Sequence, residues 1–303
     1  MSEGRVINFA AGPAKLPEAV LQRAQKEMLN YQNTGVSVMG KSLRHFPIFA
    51  INIPMNYKIL FLQGGGTGLM AAVALNLMNR SESKCADYVV TGTWSAKAAK
   101  EAEKYGSVNR VLPKTSKYRS KLKLYGVIFA GAQKNIGCAG VTLAIVRDDL
   151  LGHAMPSCPA ILDFKGQSDA NSLYNTPPAY SIYIMGLVFE WLKEQGGSDV
   201  MDERSAIKAK SIYDVIDESN GFYCCPVDPS ARSRMNIVFR VGGPDGTEEL
   251  EKKFVSESTK RKMVSIKGHR SVGGMRISLY NAITLEETFS MAQFMTEFQA
   301  NHQ

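Results

Sequence analysis

Short apolar runs that alternate with stretches of helical spacing restrict this chain to an α/β fold. Residues 57–63 (YKILFLQ), 87–91 (DYVVT), 125–130 (YGVIFA) and 141–146 (VTLAIV) have the length and β-branched or aromatic content of buried strands. The first runs directly into Gly64-Gly65-Gly66-Thr67-Gly68 and then into an apolar helix over 69–77. A helix over 95–105 follows the second, and 108–112 reads as a further strand. An amphipathic helix is expected over 16–31, where Pro17 suits a first turn and Val20, Leu21, Ala24 and Met28 share a face. A long apolar helix over 181–194 ends at Gly196-Gly197. Beyond it, helix 205–219, strands near 236–241 and 276–279, a helix between them and a closing helix describe an α+β unit. The expected division is therefore a large domain of residues 1–197 and a small C-terminal domain of residues 198–303.

Composition narrows the function classes. With 45% hydrophobic and 21% charged residues the chain is ordinary for a globular protein. No uncharged apolar run reaches a membrane span, and the first residues lack a hydrophobic signal core, so a cytoplasmic protein is expected. Five cysteines, an odd count without a C-x-x-C pair, argue against a disulfide framework or a zinc site. The four histidines show no metal-ligand spacing, so no metal is expected. Much of the net charge of +8 falls between Lys97 and Lys123, without an interleaved aromatic platform. That stretch reads as a solvated helix face and loop, not as a nucleic-acid surface.

Four segments carry candidate chemistry. The strand–glycine–helix junction at 63–68 offers close backbone approach and free N–H groups to an anion, with the Thr67 hydroxyl beside them. A purely structural turn would need the same glycines, and no Gly-Lys-Ser/Thr follows as in a P-loop. In the second segment, Phe129-Ala130-Gly131-Ala132-Gln133-Lys134-Asn135, a lysine stands directly after a strand among small residues. Desolvation there would favour the neutral, nucleophilic amine and suit a Schiff base with a carbonyl cofactor, although from the segment alone a surface lysine at a strand end is the preferred reading. The third, Ser172-Leu173-Tyr174-Asn175-Thr176-Pro177-Pro178, presents Asn175 and Thr176 on a proline-stiffened loop before a helix, with a helix cap as the plain alternative. In the fourth, Lys267-Gly268-His269-Arg270 and Arg276 surround a glycine turn. Arginine forks fit carboxylates and phosphates, while exposed basic residues on a hairpin are the bland reading.

These segments, in this order, resemble the phosphoserine aminotransferases, class V enzymes of the fold type I pyridoxal-phosphate (PLP) class. Asn8-Phe9, Gly12-Pro13-Ala14-Lys15-Leu16-Pro17, Ala86-Asp87-Tyr88-Val89-Val90-Thr91-Gly92-Thr93-Trp94-Ser95 and Ser278-Leu279-Tyr280-Asn281-Ala282 extend the likeness. The resemblance implies a large domain whose mixed, mostly parallel sheet is flanked by helices, plus a smaller α+β domain. It implies a homodimer that transfers an amino group between glutamate and 3-phosphohydroxypyruvate, giving phosphoserine and 2-oxoglutarate in serine biosynthesis. Lys134 would form the Schiff base and shuttle a proton, and Trp94 would stack on the pyridine ring, where a core aromatic is the alternative. Gly66, Thr67 and Gln133 would hold the cofactor phosphate, joined by Asn175 and Thr176 from the other subunit. His269 and Arg270 would bind the substrate phosphate, and Arg276 the α-carboxylate.

The chain departs from the family pattern in two places. Arg44-His45 stands where the family has a Ser-His-Arg-Ser segment, and no role carries across to either residue. Between Tyr118 and Tyr125 a basic link replaces a long segment with two strands, a threonine near the cofactor and the aspartate that pairs with the pyridine nitrogen. From Ser95 to Lys134 there is no Asp, and the acids are Glu101 and Glu103. Two further readings stay open: an impaired or inactive relative that acts as a dimer partner, and another class V aminotransferase with an unphosphorylated substrate.

Overall fold

A computed structural model describes residues 4–40, 53–111, 125–269 and 273–303, with the backbone alone at His269. By contacts the chain divides into two compact units. One comprises Val36–Ala132 and Ala139–Tyr183, the other Met1–Gly35, Gln133–Cys138 and Ile184–Gln303.

The chain opens in the second of these with β1 (Ile7–Asn8) and α1 (Glu18–Glu27). α1 is shorter than its apolar spacing suggested. Pro17 serves as its N-cap, and Gln32 and Asn33 take positive φ in the residues that follow, which ends the helical path. Val20 and Ala24 form its buried face, as expected.

The unit spanning 36–132 and 139–183 contains β2 (Tyr57–Leu62), α2 (Gly65–Leu77), β3 (Cys85–Val89), α3 (Thr93–Ala102), β4 (Ser107–Val111), β5 (Val127–Gly131), β6 (Thr142–Arg147) and α4 (Phe164–Asp169). Its strand pairing is mixed. β6 lies between β2 and β5 and runs antiparallel to both, while β3 and β4 form a separate parallel pair. α2 begins four residues before its expected start because the glycines themselves make the first turn. Gly64, at φ 94, turns the chain, and the Gly68 amide donates to its carbonyl at 2.9 Å. Leu60, Leu62, Leu69, Ala72, Ala144, Val146, Leu150 and Phe164 make one apolar core of this unit. Asn76, buried on α2, donates to the Ala72 and Leu162 carbonyls and accepts from the Phe164 amide, leaving its polar atoms satisfied.

α5 (Ala179–Glu194) crosses from this unit into the other. There follow α6 (Gly197–Asp217), β7 (Tyr223–Cys224), β8 (Asn236–Val241), α7 (Glu248–Lys260), β9 (Met263–Val264), β10 (Lys267–His269), β11 (Gly273–Ser278) and α8 (Leu285–His302). α6 starts at Gly197, eight residues before its expected start. No proline or glycine interrupts 198–205, and Asp199 suits the positive end of a helix. Strands β10, β11, β8 and β7 form an antiparallel sheet in that order. β1 pairs in parallel with β9, Ile7 opposite Met263, which draws the N-terminal arm into this unit. The core is aromatic. Phe239, Phe254, Phe294, Phe298 and Tyr223 are almost wholly buried and pack together, edge to face in Tyr223–Phe239 at 5.6 Å and Phe254–Phe298 at 5.1 Å.

Candidate active site

In the unit spanning 36–132 and 139–183 the glycine turn forms the start of α2. The N–H groups of Gly65, Gly66 and Thr67 precede the first i−4 carbonyl of the helix, so helical bonding leaves them free. A Cβ added to Gly65 or Gly66 would meet nothing within 4 Å, and Thr67 is exposed. The end of β5 lies alongside this turn: a Cβ on Gly131 would sit 3.7 Å from the Gly66 nitrogen. Opposite Gly131 on β6, the Thr142 hydroxyl is fully buried and has no hydrogen-bond partner among the described residues. A threonine inside an otherwise apolar strand was the signal that could have found it.

Trp94 lies in the first turn of α3, 59% exposed, so the core-aromatic reading fails; the Lys97 Nζ sits 4.5 Å above its ring. Asn175 and Thr176 are tied to the residue just before the glycine turn. Gln63 Nε2 donates to the Thr176 carbonyl at 3.1 Å, and Asn175 Nδ2 donates to Gln63 Oε1 at 3.4 Å. Gln167 donates in turn to Asn175 Oδ1 at 3.3 Å.

Gln133 and Lys134 belong to the other unit. They lie in the turn after β5, and both flanks of Lys134 are bonded. The Ala14 amide donates to the Gln133 carbonyl at 2.9 Å, and the Asn281 amide donates to Asn135 Oδ1 at 2.9 Å. Gly12, at φ 147, approaches so closely that a Cβ there would stand 3.5 Å from the Lys134 Cγ. The apolar enclosure expected for Lys134 is not formed: the side chain is exposed, and β5 itself is only partly buried. The physical reason is that β5 has β6 as its sole strand neighbour among the described residues and ends the sheet.

In the same unit, His269 closes the β10–β11 pair opposite Gly273. Arg276, on β11 opposite Val238, has a buried Nε with no partner among the described residues. Arg270, Arg44 and His45 lie outside the described residues.

The family described as Aminotransferase class-V matches residues 6–126 and 114–289. A phosphoserine aminotransferase of Drosophila melanogaster is 46% identical over 363 positions, covering 98% of this chain and 99% of its own. The chain belongs to the phosphoserine aminotransferase family. The solved phosphoserine aminotransferase of Bacillus circulans subsp. alkalophilus superposes with a TM-score of 0.91 at 36% identity over 99% of both chains. A PLP-bound phosphoserine aminotransferase of Trichomonas vaginalis gives 0.88 at 33% identity, covering 96% of this chain and 100% of its own. The fold is thus that of the fold type I aminotransferases. Within the phosphoserine aminotransferase family this chain is short. The class-V match comes in two pieces that meet at 114–126, the basic link between β4 and β5. The fly alignment spans 363 positions against the 303 residues of this chain, so no fewer than 60 positions have no counterpart here.

Proposed function

We propose that this chain is a PLP-dependent transaminase that exchanges an amino group between glutamate and 3-phosphohydroxypyruvate, with the cofactor carried on Lys134. The observation that carries the reading is the approach of Gly131 to the Gly66 nitrogen, because the chain leaves β5 at the anion-ready glycine turn and reaches a primary amine three residues later.

The glycine turn suits the PLP phosphate: the N–H groups of Gly65, Gly66 and Thr67 that helical bonding leaves free would receive the dianion, and the open space above Gly66 leaves room for it. In this reading the amine is that of Lys134. When bound, PLP supplies the electron sink for labile bonds at the substrate Cα. Gly66, Thr67 and Gln133 would hold the phosphate, and Trp94, 59% exposed, would offer its indole to the ring. Lys134 would carry the cofactor and serve as the base that moves the substrate Cα proton. Arg276, whose buried Nε has no partner among the described residues, would receive the α-carboxylate, and His269 and Arg270 would take the substrate phosphate. Asn175 and Thr176 complete the phosphate contacts across a homodimer. No helix of the described residues is long and apolar enough to cross a membrane. The enzyme is cytoplasmic in this reading. Residues 1–197 and 198–303 serve as its large and small domains.

A second reading rests on the acid that is absent. The acids between Ser95 and Lys134 are committed elsewhere: Glu101 bonds Lys104 and the Tyr105 hydroxyl, and Glu103 pairs with Arg110. Without a carboxylate to keep the pyridine nitrogen protonated, chemistry slows by orders of magnitude while cofactor binding persists. The chain would then serve as a partner for a complete subunit. Assay of the purified protein with glutamate and 3-phosphohydroxypyruvate separates the two. Turnover comparable to other family members supports the first reading and removes the second, and a bound cofactor without turnover does the reverse.

A further inference from the structure

Lys208 is a lysine that the proposed chemistry leaves unused. It lies on α6 and is only 3% exposed. Its ammonium donates to three carbonyls, those of Leu279 at 3.1 Å, Tyr280 at 2.9 Å and Ile283 at 2.9 Å. Three acceptors match the three N–H bonds of a charged amine, and a neutral amine would leave one carbonyl unpaired. Those carbonyls belong to the turn that joins β11 to α8. At the centre of that turn stands Asn281, whose amide holds Asn135, the residue next to Lys134.

A second anchor converges on the same place. Glu287, 2% exposed, caps α8 by accepting from the Thr284 amide at 3.0 Å and accepts from the Lys15 ammonium at 2.5 and 2.6 Å. Lys15 directly follows Ala14, whose amide holds the Gln133 carbonyl. A small cavity lined by Lys15, Lys134, Asn135, Trp191 and Asn281 marks where the two anchored segments meet the cofactor lysine.

We propose that Lys208 is a positioning residue for Lys134, acting through the 279–283 turn and the Asn281–Asn135 hydrogen bond. The inference rests on the reading of Lys134 as the cofactor lysine. The charged neighbours of Lys208 are Glu287 on α8, Arg204 on its own helix and Lys15 on the arm. Only Glu287 favours the ammonium electrostatically, so the three carbonyls are the principal partners that hold it in place.

The test uses the full chain reconstituted with PLP, in a double-mutant cycle of Lys208→Met and Asn135→Ala. The readouts are the dissociation constant for PLP and the pH midpoint of the visible band of the lysine-bound cofactor. Lys208→Met is expected to weaken PLP binding about tenfold and to move the midpoint by roughly one pH unit, the scale of coupling between bonded groups. In the Asn135→Ala background the same substitution should add little, because the connection is already cut. Full additivity of the two substitutions, or a fall in melting temperature with an unmoved midpoint, makes Lys208 a merely structural residue and overturns the proposal. If Lys208→Met does not fold, Lys208→Gln, which keeps two N–H donors, is judged by the same criteria. Failure of unaltered protein to form a band would instead count against the Lys134 reading itself. As a cofactor-free control, amide exchange in the 133–138 peptide of the apoprotein should quicken about tenfold in Lys208→Met, with α7 unchanged.

Discussion

Arg276 is where a single side chain makes the most direct statement about substrate. Its buried Nε has no partner among the described residues, and a buried donor of this kind costs stability unless it is completed, here by the proposed carboxylate. Arg276→Gln should therefore weaken glutamate binding, followed by titration of the cofactor band, about tenfold or more, since charge-assisted bonds contribute roughly 1.5–3 kcal/mol. Unchanged affinity would remove Arg276 from the site. Lys208 makes a pH statement. Burial lowers its pKa from 10.5 to about 8, so between these values the unfolded chain binds more protons than the folded one. The contribution of Lys208 to stability thus rises as pH rises from about 8 toward 10.5. Denaturant midpoints should show this rise in the unaltered chain relative to Lys208→Met, and parallel pH curves would contradict it. At this scale the motif around Lys134 was legible because small residues and a lysine after a strand are a local pattern. The environment of Lys134 was not: Ala14 and Asn281 reach its neighbours from 119 and 146 positions away in sequence.

Among the elements, α2 links backbone geometry most tightly to function. Gly64 takes φ 94, and a Cβ there would stand 3.2 Å from the Gly68 Cα. Gly64→Ala should cost about 1–2 kcal/mol from left-handed strain alone. It should also weaken PLP binding by distorting the N–H groups proposed to receive the phosphate, and a variant with unaltered binding and stability would show that the turn is only a connector. Strand cores β2, β5 and β6 were readable as apolar runs, whereas helix starts were not. α2 and α6 both begin earlier than their apolar spacing suggested because glycine-initiated first turns carry no hydrophobic signal. The short pairing of β1 with β9 was hidden for a different reason, since two residues are too few to show a period.

For the whole molecule, the shortened link has a visible counterpart in the sheets. Among the described residues β5 ends one sheet and β3 ends another, so each presents an open backbone edge. The sequence exposed the absent acid, because an Asp is simply missing from 95–134, but not the separation of the sheets, which depends on long-range pairing. Open edges of this kind favour self-association, and sedimentation of the apoprotein should show species larger than a dimer as concentration rises. A single dimer species across that range would indicate that the edges are covered. Both proposed readings of the function, active enzyme or impaired partner, require the cofactor to sit on one particular amine. Borohydride reduction of the PLP-loaded protein followed by peptide mapping tests this directly. A pyridoxyl tag on Lys134 is the predicted result, and a tag on any other lysine, or none, would contradict the account.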